Sequence, residues 1–199
     1  MSDHFLVYEK DTTLESHLLQ IVNKEQIIWG DVLEQSVDES IDRNTTLIVG
    51  NLPYYITSPI LRQFFEHDHF VSGVFLIQRE VAEKIMTDAP KKSYLWWLLN
   101  NGYDVHYCFT VKPQSFNPPP KVDSAVIALT RKEQSEVEDI DKLLEILELL
   151  SPYKRKTLGA IATLNTKKGN TLTIPEQYTK KRLEEIGWEE MKEIIDMNE

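Results

Sequence analysis

The stretch that most constrains the fold of this chain is an apolar run at residues 46–50, followed directly by Asn51, Leu52, Pro53 and Tyr54. Residues that favour β-structure and then stop at an amide and a proline predict a buried strand whose last polar side chain projects beyond the sheet edge. Open α/β sheets bind their ligands at that edge. We therefore predict an α/β fold with its chemistry centred on this tetrapeptide.

The tetrapeptide suits alkylation of a weak nitrogen nucleophile, such as the exocyclic amine of adenine. The lone pair of that amine is delocalised into the ring, so it attacks only when two acceptors hold its hydrogens. The Asn51 side-chain oxygen and the Leu52 carbonyl can be those acceptors. Pro53 fixes the backbone between them, and Tyr54 offers a flat face for stacking the base. The alternative is a plain strand-to-helix turn that contains a proline.

Further segments follow in a recognisable order. Residues 49–60 read VGNLPYYITSPI, residues 78–82 read QREVA, and residues 116–126 read FNPPPKVDSAV. In order and spacing these segments resemble the rRNA adenine dimethyltransferases, the KsgA and Erm family. Residues 154–158 resemble the basic stretch of that family's small C-terminal domain. The triple proline and the Asp-Ser pair after it resemble the small-subunit branch more closely than the resistance enzymes of the large subunit.

The resemblance implies a fold and an activity. The fold would be a class I (Rossmann-like) methyltransferase sheet lacking its first strand, with a small all-helical C-terminal domain. Residues 1–132 would form the N-terminally incomplete methyltransferase domain, and residues 133–199 would form a helical rRNA-binding domain. The activity would be S-adenosyl-L-methionine-dependent dimethylation of adenine N6 in small-subunit (16S) rRNA during ribosome maturation. The expected partner is therefore the rRNA of the pre-30S particle.

The resemblance also implies roles for individual residues. The pocket that holds and stacks the base would consist of Asn51, Leu52, Pro53, Tyr54 and Phe116. The cofactor would be contacted by Glu9 at its ribose, by Asp31 at its adenine amine, and by Asn51. The RNA would be bound by Lys121, Lys154, Arg155 and Lys156. The alternatives are solvated acids at strand ends for Glu9 and Asp31, a hydrophobic plug for Phe116, and a solvated face for each basic cluster.

The family begins with a strand and a glycine-rich turn that hold the methionine part of the cofactor. This sequence begins just after that point and contains no G-x-G-x-G sequence. In the family the strand concerned is central, between the strand that ends at Glu9 and the strand that ends at Asn51. Three explanations compete: a fragment or mis-started reading frame, a strand supplied by a second chain, or loss of cofactor binding. We favour the first, because Glu9, Asp31 and Asn51 remain as a matched set.

Charge and composition restrict the partners and the compartment. Lys and Arg total 22 against 32 for Asp and Glu, so the net charge of −10 has the wrong sign for a generic nucleic-acid binder. The basic residues are nevertheless clustered, and a local positive face can bind phosphate. Cys108 has no internal disulfide partner, which favours the cytoplasm. We expect a monomer with neither a membrane span nor a metal site.

The periodicity predicts most of the remaining elements. In the N-terminal part we expect strands at residues 4–9 and 26–29, and a helix with Leu14, Leu18, Leu19 and Val22 on one stripe. Another helix starts at residue 57 or 58, and strands at 103–111 and 125–130 pair antiparallel. C-terminal helices are expected at about 140–150, 152–164, 175–187 and 188–197, the second of them carrying the basic residues 154–156. The pair Trp96 and Trp97 is interpreted as core or a partner contact rather than a base-stacking platform.

Two rival functions stay open from sequence. One is a non-catalytic rRNA-binding assembly factor built on the same scaffold. The other is a methyltransferase that acts on DNA adenine or on a protein glutamine, since such enzymes use similar tetrapeptides. The proline-rich segment and the helical C-terminal part argue against the second.

Overall fold

The computed structural model describes residues 5–35, 42, 45–66, 70–89 and 91–198. The start of the predicted first strand at His4, and the histidines at 67 and 69, lie outside these residues. The chain forms two compact units, Met1–Asp42 and Arg43–Glu199. None of the helices in the described ranges is long and apolar enough to cross a membrane.

The first unit contains a two-stranded parallel sheet. Strand β1 (Val7–Glu9) pairs with β2 (Ile27–Trp29), with Glu9 opposite Trp29. Both strands agree with prediction, but the connecting helix α1 (Glu15–Leu18) is only four residues long. Of the described residues in this unit, only Val22 and Ile27 are buried.

The predicted apolar stripe of the first helix is therefore wrong in part. The Leu14 and Leu19 side chains are 40% and 44% exposed, whereas Val22 is buried. The reason is length: one turn of helix, preceded by a 3-10 turn, cannot align four apolar side chains on one face.

The second unit is built on a mixed four-stranded sheet. Its strands are β3 (Leu47–Asn51), β4 (Ser72–Gln78), β5 (Tyr103–Val111) and β6 (Ser124–Arg131). They lie in the order β3-β4-β6-β5; β3 is parallel to β4, and β6 is antiparallel to both of its neighbours. The predicted antiparallel pairing of β5 with β6 is confirmed.

Three helices belong to this sheet: α2 (Thr57–Phe65), α3 (Arg79–Ile85) and α4 (Tyr94–Gly102). The predicted inner stripe of α2 is confirmed, since Ile60, Leu61, Phe64 and Phe65 are all buried. The Phe65 ring packs edge-on against Phe75 of β4 and Tyr103 of β5, with ring centroids 5.8 Å and 4.8 Å apart. This aromatic cluster fixes α2 against β4 and β5.

The prediction that residues 46–50 form a buried strand needs correction. The Leu47 and Val49 side chains of β3 are 50% and 71% exposed. Within the described residues β3 has a neighbour on one side only, because it lies at the edge of its sheet. The strand itself, and its abrupt end at Asn51, agree with prediction.

The C-terminal helices are α5 (Ile140–Leu150), α6 (Leu158–Lys167) and α7 (Trp188–Asp196). They share one apolar core with Trp96 and Trp97 of α4, which are 3% and 0% exposed. The Trp188 ring stacks on Trp96 at 5.7 Å and meets Trp97 edge-on at 4.6 Å. The double tryptophan is therefore core, which was one of the two preferred interpretations.

Two predicted C-terminal helices differ in the structure. The expected helix at 152–164 is a 3-10 turn at Ser151–Tyr153 followed by a turn, and α6 starts only at Leu158 because Thr157 has an extended backbone. The expected helix at 175–187 is replaced by 3-10 turns at Glu176–Tyr178 and Leu183–Glu185. Between those turns the Lys181 carbonyl accepts the Leu158 N–H at 2.8 Å, so this main chain pairs with the start of α6 instead of forming a helix.

Candidate active site

Asn51 is the last residue of β3 and is exposed where the strand leaves the sheet. The Leu52 N–H donates to the Leu76 carbonyl at 3.1 Å, so contact with β4 continues one residue further. The Leu52 side chain is buried against Gly50, where an added Cβ would lie 2.6 Å from the Leu52 Cδ2. These contacts fix the main chain at the point where the Asn51 amide meets solvent.

Pro53 and Tyr54 begin the turn into α2. The Ile56 N–H donates to the Pro53 carbonyl at 3.1 Å, and the Thr57 hydroxyl donates to the same oxygen at 3.2 Å. The Tyr54 phenol is hydrogen-bonded to the hydroxyl of Ser124, the first residue of β6. The tetrapeptide is thus held at one end by the helix and at the other by the sheet.

The tetrapeptide and the proline-rich loop surround one cleft. Its volume is about 300 Å³, and its lining residues are Asn51, Leu52, Pro53, Tyr54, Phe116, Pro118 and Pro120. Ligand pockets span roughly 300–1,000 Å³, so this cleft lies at the small end of that range. The structure therefore brings all five residues of the predicted pocket to one cavity.

Phe116 stands on a loop with few backbone alternatives. A 3-10 turn at Pro113–Ser115 precedes it, and the Phe116 N–H donates to the Pro113 carbonyl at 3.1 Å. The Asn117–Pro118 peptide bond is cis. Prolines fix φ and donate no hydrogen bond, so the loop has little freedom to re-form. The Phe116 ring is half-buried and lines the cleft, which leaves it accessible to a ligand.

The chemical groups of the cleft favour holding an aromatic amine. An amide oxygen and a main-chain carbonyl supply acceptors, and two aromatic side chains supply stacking faces. None of the residues that line it is an acid, a histidine or a lysine. Such a site can orient a base for direct attack.

Glu9 and Asp31 lie in the first unit, at neighbouring ends of β1 and β2. The Glu9 carboxylate accepts the main-chain N–H groups of Lys10 and Asp11 at 2.8 Å and 2.7 Å. The Asp31 carboxylate accepts the Lys10 ammonium at 2.7 Å and the Leu33 N–H at 3.0 Å. The Lys10 hydrogen bond, followed by that of Leu33, holds the pKa of Asp31 below its usual value. Two oriented carboxylates therefore share one edge of this small sheet.

The predicted RNA-binding residues fall at two places in the second unit. Lys121 is exposed in the loop that carries Phe116. Lys154, Arg155 and Lys156 are exposed in the turn before α6, so the expectation that they lie on one helix is wrong. The Gly159 N–H donates to the Thr179 carbonyl at 3.0 Å, which places residues 179–181 beside the start of α6.

Sequence reasoning assigned no role to Asp123 and Ser124, which directly follow the proline-rich loop. Ser124 is fully buried and bonded to Tyr54. Asp123 forms ion pairs with Lys112 at 2.7 Å and with Arg79 at 3.5 Å. Their position in the sequence could have indicated this role. Residues at the start of a strand that directly follows a functional loop are well placed to anchor that loop.

Within the described ranges, no group of three or more His, Cys, Asp or Glu side chains could hold a metal ion.

Comparison with solved structures defines the class of fold. A dimethyladenosine transferase from Plasmodium falciparum superposes with a TM-score of 0.72, over 97% of this chain and 81% of that chain, at 22% identity. The 23S rRNA methyltransferase ErmE superposes with a TM-score of 0.62, over 95% of this chain and 80% of that chain, also at 22% identity. The chain therefore has the α/β fold of class I methyltransferases.

Sequence comparison defines the family. A family model described as ribosomal RNA adenine dimethylase matches residues 1–197, and the chain belongs to that family. Proteins named ribosomal RNA small subunit methyltransferase A are 33% identical over 148 residues in Hydrogenobaculum sp. and 32% identical over 196 residues in Chlorobium limicola. These alignments cover 74% and 96% of this chain but only 55% and 73% of the relatives. Membership in a methyltransferase family implies S-adenosyl-L-methionine as the methyl donor in general.

Proposed function

We propose that this chain is the small-subunit type of rRNA adenine-N6 dimethyltransferase, with S-adenosyl-L-methionine as methyl donor and the rRNA of a pre-30S particle as substrate. The observation that carries the proposal is the single cleft that Asn51, Leu52 and Tyr54 share with Phe116. A base flipped out of an RNA helix needs aromatic faces for stacking and acceptors for its edge, and these residues supply both.

The proposed roles follow from the chemistry of each group. The Asn51 side-chain oxygen and the Leu52 carbonyl accept the two hydrogens of the adenine N6 amine. This arrangement draws the nitrogen towards tetrahedral geometry and exposes its lone pair. Tyr54 and Phe116 stack on the base, which contributes roughly 1–3 kcal/mol per base in comparable sites. Pro53 keeps the backbone between the two acceptors fixed.

The reaction is a direct displacement that depends on positioning. The bound donor supplies an activated sulfonium methyl group. With that donor bound, Asn51 and Leu52 would hold the adenine nitrogen so that it could attack the methyl carbon directly, with the sulfur as leaving group keeping the electron pair of the broken bond. The nitrogen then loses its proton to water, because methylation makes this proton acidic. Orientation alone can account for several kcal/mol of barrier reduction, on the order of 7–11 kcal/mol in well-aligned systems.

The carboxylates of the first unit fit the polar groups of the methyl donor. Glu9 and Asp31 are anchored by main-chain N–H groups at the ends of β1 and β2. Carboxylate oxygens are the acceptors that ribose hydroxyls and an adenine amine require. We assign Glu9 to the ribose, Asp31 to the adenine amine, and Asn51 to a further contact with the donor.

RNA binding is assigned to exposed cations near the cleft loop and in the C-terminal part. Lys121, Lys154, Arg155 and Lys156 would contact phosphates, which position the RNA without reading its sequence. Residues 1–132 would carry the catalytic groups and residues 133–199 would bind rRNA, in a cytoplasmic monomer. This division is one of function, because the compact units divide between residues 42 and 43. The helices α5 and α6 of the second part carry the basic turn between them.

The test is methyl transfer to undermethylated small-subunit particles with labelled S-adenosyl-L-methionine, followed by mass spectrometry of the digested rRNA. The full-length wild-type protein is expected to produce dimethyladenosine. Asn51→Ala is expected to lower the rate by about 100-fold or more, as for loss of one preorganised polar contact. Gln114→Ala is the control, because Gln114 is exposed on the loop that carries Phe116 and does not line the cleft. Particle binding without methylation by the wild type would instead support a non-catalytic assembly factor.

A further inference from the structure

The two walls of the cleft come from distant parts of the chain, and adjacent residues of β6 contact both. Tyr54 belongs to the wall after β3, and Phe116 belongs to the loop between β5 and β6. Ser124 bonds to the first wall through the Tyr54 phenol. The Asp123 carboxylate accepts a hydrogen bond from Lys112, which lies just before the loop of the second wall. This juxtaposition is not needed to form the sheet, which the strand pairings already hold.

Ser124 is a rigid anchor. Its side chain is fully buried, and it lies opposite Gln78 of β4 and Val111 of β5 in the strand register. Since β6 is flanked on both sides, the Ser124 hydroxyl has a fixed position in the second unit. The half-buried Tyr54 ring, by contrast, follows a turn and lines an open cleft. The hydrogen bond between the two hydroxyls therefore limits rotation and displacement of that ring.

Asp123 closes the loop that carries Phe116. Lys112 precedes this loop and Asp123 ends it, and their side chains form an ion pair at 2.7 Å. The Arg79 N–H also donates to the Asp123 carbonyl at 3.0 Å, while the Arg79 side chain bonds mainly to Glu83 at 2.7 Å. The Lys112 hydrogen bond holds the pKa of Asp123 below its usual value.

We propose that Asp123 and Ser124 are positioning residues that set the spacing and orientation of the two aromatic walls around the base. They touch neither base nor donor; Ser124 acts through Tyr54, and Asp123 acts through the loop of Phe116. The inference rests on the proposed function, because the proposed function identifies adenine as the ligand that stacks in the cleft. It adds that geometric control of the cleft lies in β6, outside the tetrapeptide and the proline-rich loop.

A double-mutant cycle on kinetics tests the Ser124 part. Tyr54→Phe keeps the ring and removes the hydroxyl, and Ser124→Ala removes the other half of the bond. Each is expected to lower kcat by about 10- to 100-fold, since small misplacements at a reaction centre cost up to that factor. The KM for S-adenosyl-L-methionine should not change. The double variant should match either single variant within about twofold, because both remove one interaction.

The controls separate positioning from folding. Ser115→Ala should retain wild-type kcat. Ser115 is an exposed serine on the loop that carries Phe116, and its side chain does not line the cleft. If the buried Ser124→Ala change prevents folding, Tyr54→Phe removes the same bond from the half-buried side. Ser124→Thr keeps a hydroxyl and should recover most of the lost kcat. Additive losses in the double variant, or an unchanged kcat in Tyr54→Phe, would overturn the inference.

A spectroscopic readout keeps this inference separate from the proposed function. With isotope-labelled tyrosine, the Cζ chemical shift of Tyr54 should change in Ser124→Ala and stay unchanged in Ser115→Ala. If the wild-type chain transfers no methyl group, the proposed function fails and the positioning role fails with it, whatever the shift shows. If the shift changes as expected but kcat does not, only the positioning role is overturned.

Discussion

The walls of the cleft are supported by a buried core, whereas the Glu9 and Asp31 carboxylates are supported by hydrogen bonds at the end of a small sheet. Behind the cleft, Phe65, Phe75 and Tyr103 pack edge to face and are almost completely buried. In the first unit only Val22 and Ile27, among its described residues, are buried. Two-stranded sheets without further packing are marginal in water.

This difference indicates that folding preorganises the groups that hold the base more firmly than the carboxylates assigned to the methyl donor. Catalysis by positioning requires that the base-holding groups be fixed before the substrate arrives. The second unit meets that requirement through its core, since Leu52 and Phe75 leave no room for a Cβ at Gly50, which would lie 2.6 Å and 3.2 Å from their nearest atoms. The first unit orients its carboxylates through nearby main-chain N–H groups and the Lys10 ammonium. We therefore expect a substitution in the second unit to lower the free energy of unfolding more than a comparable substitution in the first unit.

The largest expected difference comes from removing a buried side chain in each unit. Phe75→Ala should lower the free energy of unfolding by about 3–5 kcal/mol, because it leaves a cavity in the aromatic core. Ile27→Ala should cost about 2 kcal/mol, the low end for such a change, because its surroundings are sparsely packed. Urea denaturation followed by circular dichroism measures both. Equal costs would show that the first unit has a core as tight as that of the second.

An intermediate effect is expected at Gly50, directly before Asn51. A Cβ there would lie 2.6 Å from Leu52 Cδ2 and 3.2 Å from a Phe75 ring carbon. Gly50→Ala should therefore destabilise by roughly 1–3 kcal/mol through overpacking. Gly102→Ala is the matched control, because the nearest atom to its Cβ would be Ser135 Oγ at 3.7 Å. Thermal denaturation of both variants makes the comparison, and similar melting temperatures would contradict it.

The smallest effect concerns the pH dependence of the first unit. The folded-state pKa of Asp31 is lowered chiefly by Lys10, so its contribution to stability is present above the unfolded pKa, about 3.9. That contribution is lost as pH falls through the folded-state pKa. Lys10→Met should raise the pKa of Asp31 towards its ordinary value, and Lys24→Met should leave it unchanged. An NMR titration of the Asp31 carboxyl measures this, and no change in Lys10→Met would refute the assigned cause.

Sequence alone predicted the features that depend on local pattern. The inner stripe of α2 and the bounds of α5 follow from helical periodicity, and both are confirmed. The shared cleft of Asn51 and Phe116 was predicted from the resemblance to the rRNA adenine dimethyltransferases, and both residues line it. Whether the assigned residues perform their roles stays a prediction.

The features that sequence did not predict depend on contacts between distant segments. The residues around Lys181 have a pattern compatible with a helix, but their carbonyls pair with the start of α6. Val49 has a core residue type, but its strand lies at the edge of its sheet and the side chain is exposed. The bond between Tyr54 and Ser124 joins residues far apart in the chain, so no local signal could reveal it.

The central claim is that the cleft holds the target adenine by its amine. The most direct measurement is a structure of the full chain bound to a small-subunit rRNA fragment and a non-reactive analogue of S-adenosyl-L-methionine. The account predicts an adenine lying out of its stack between the Tyr54 and Phe116 rings. Its N6 should lie within about 2.7–3.2 Å of both the Asn51 side-chain oxygen and the Leu52 carbonyl. Bound RNA with every adenine outside the cleft would contradict the account.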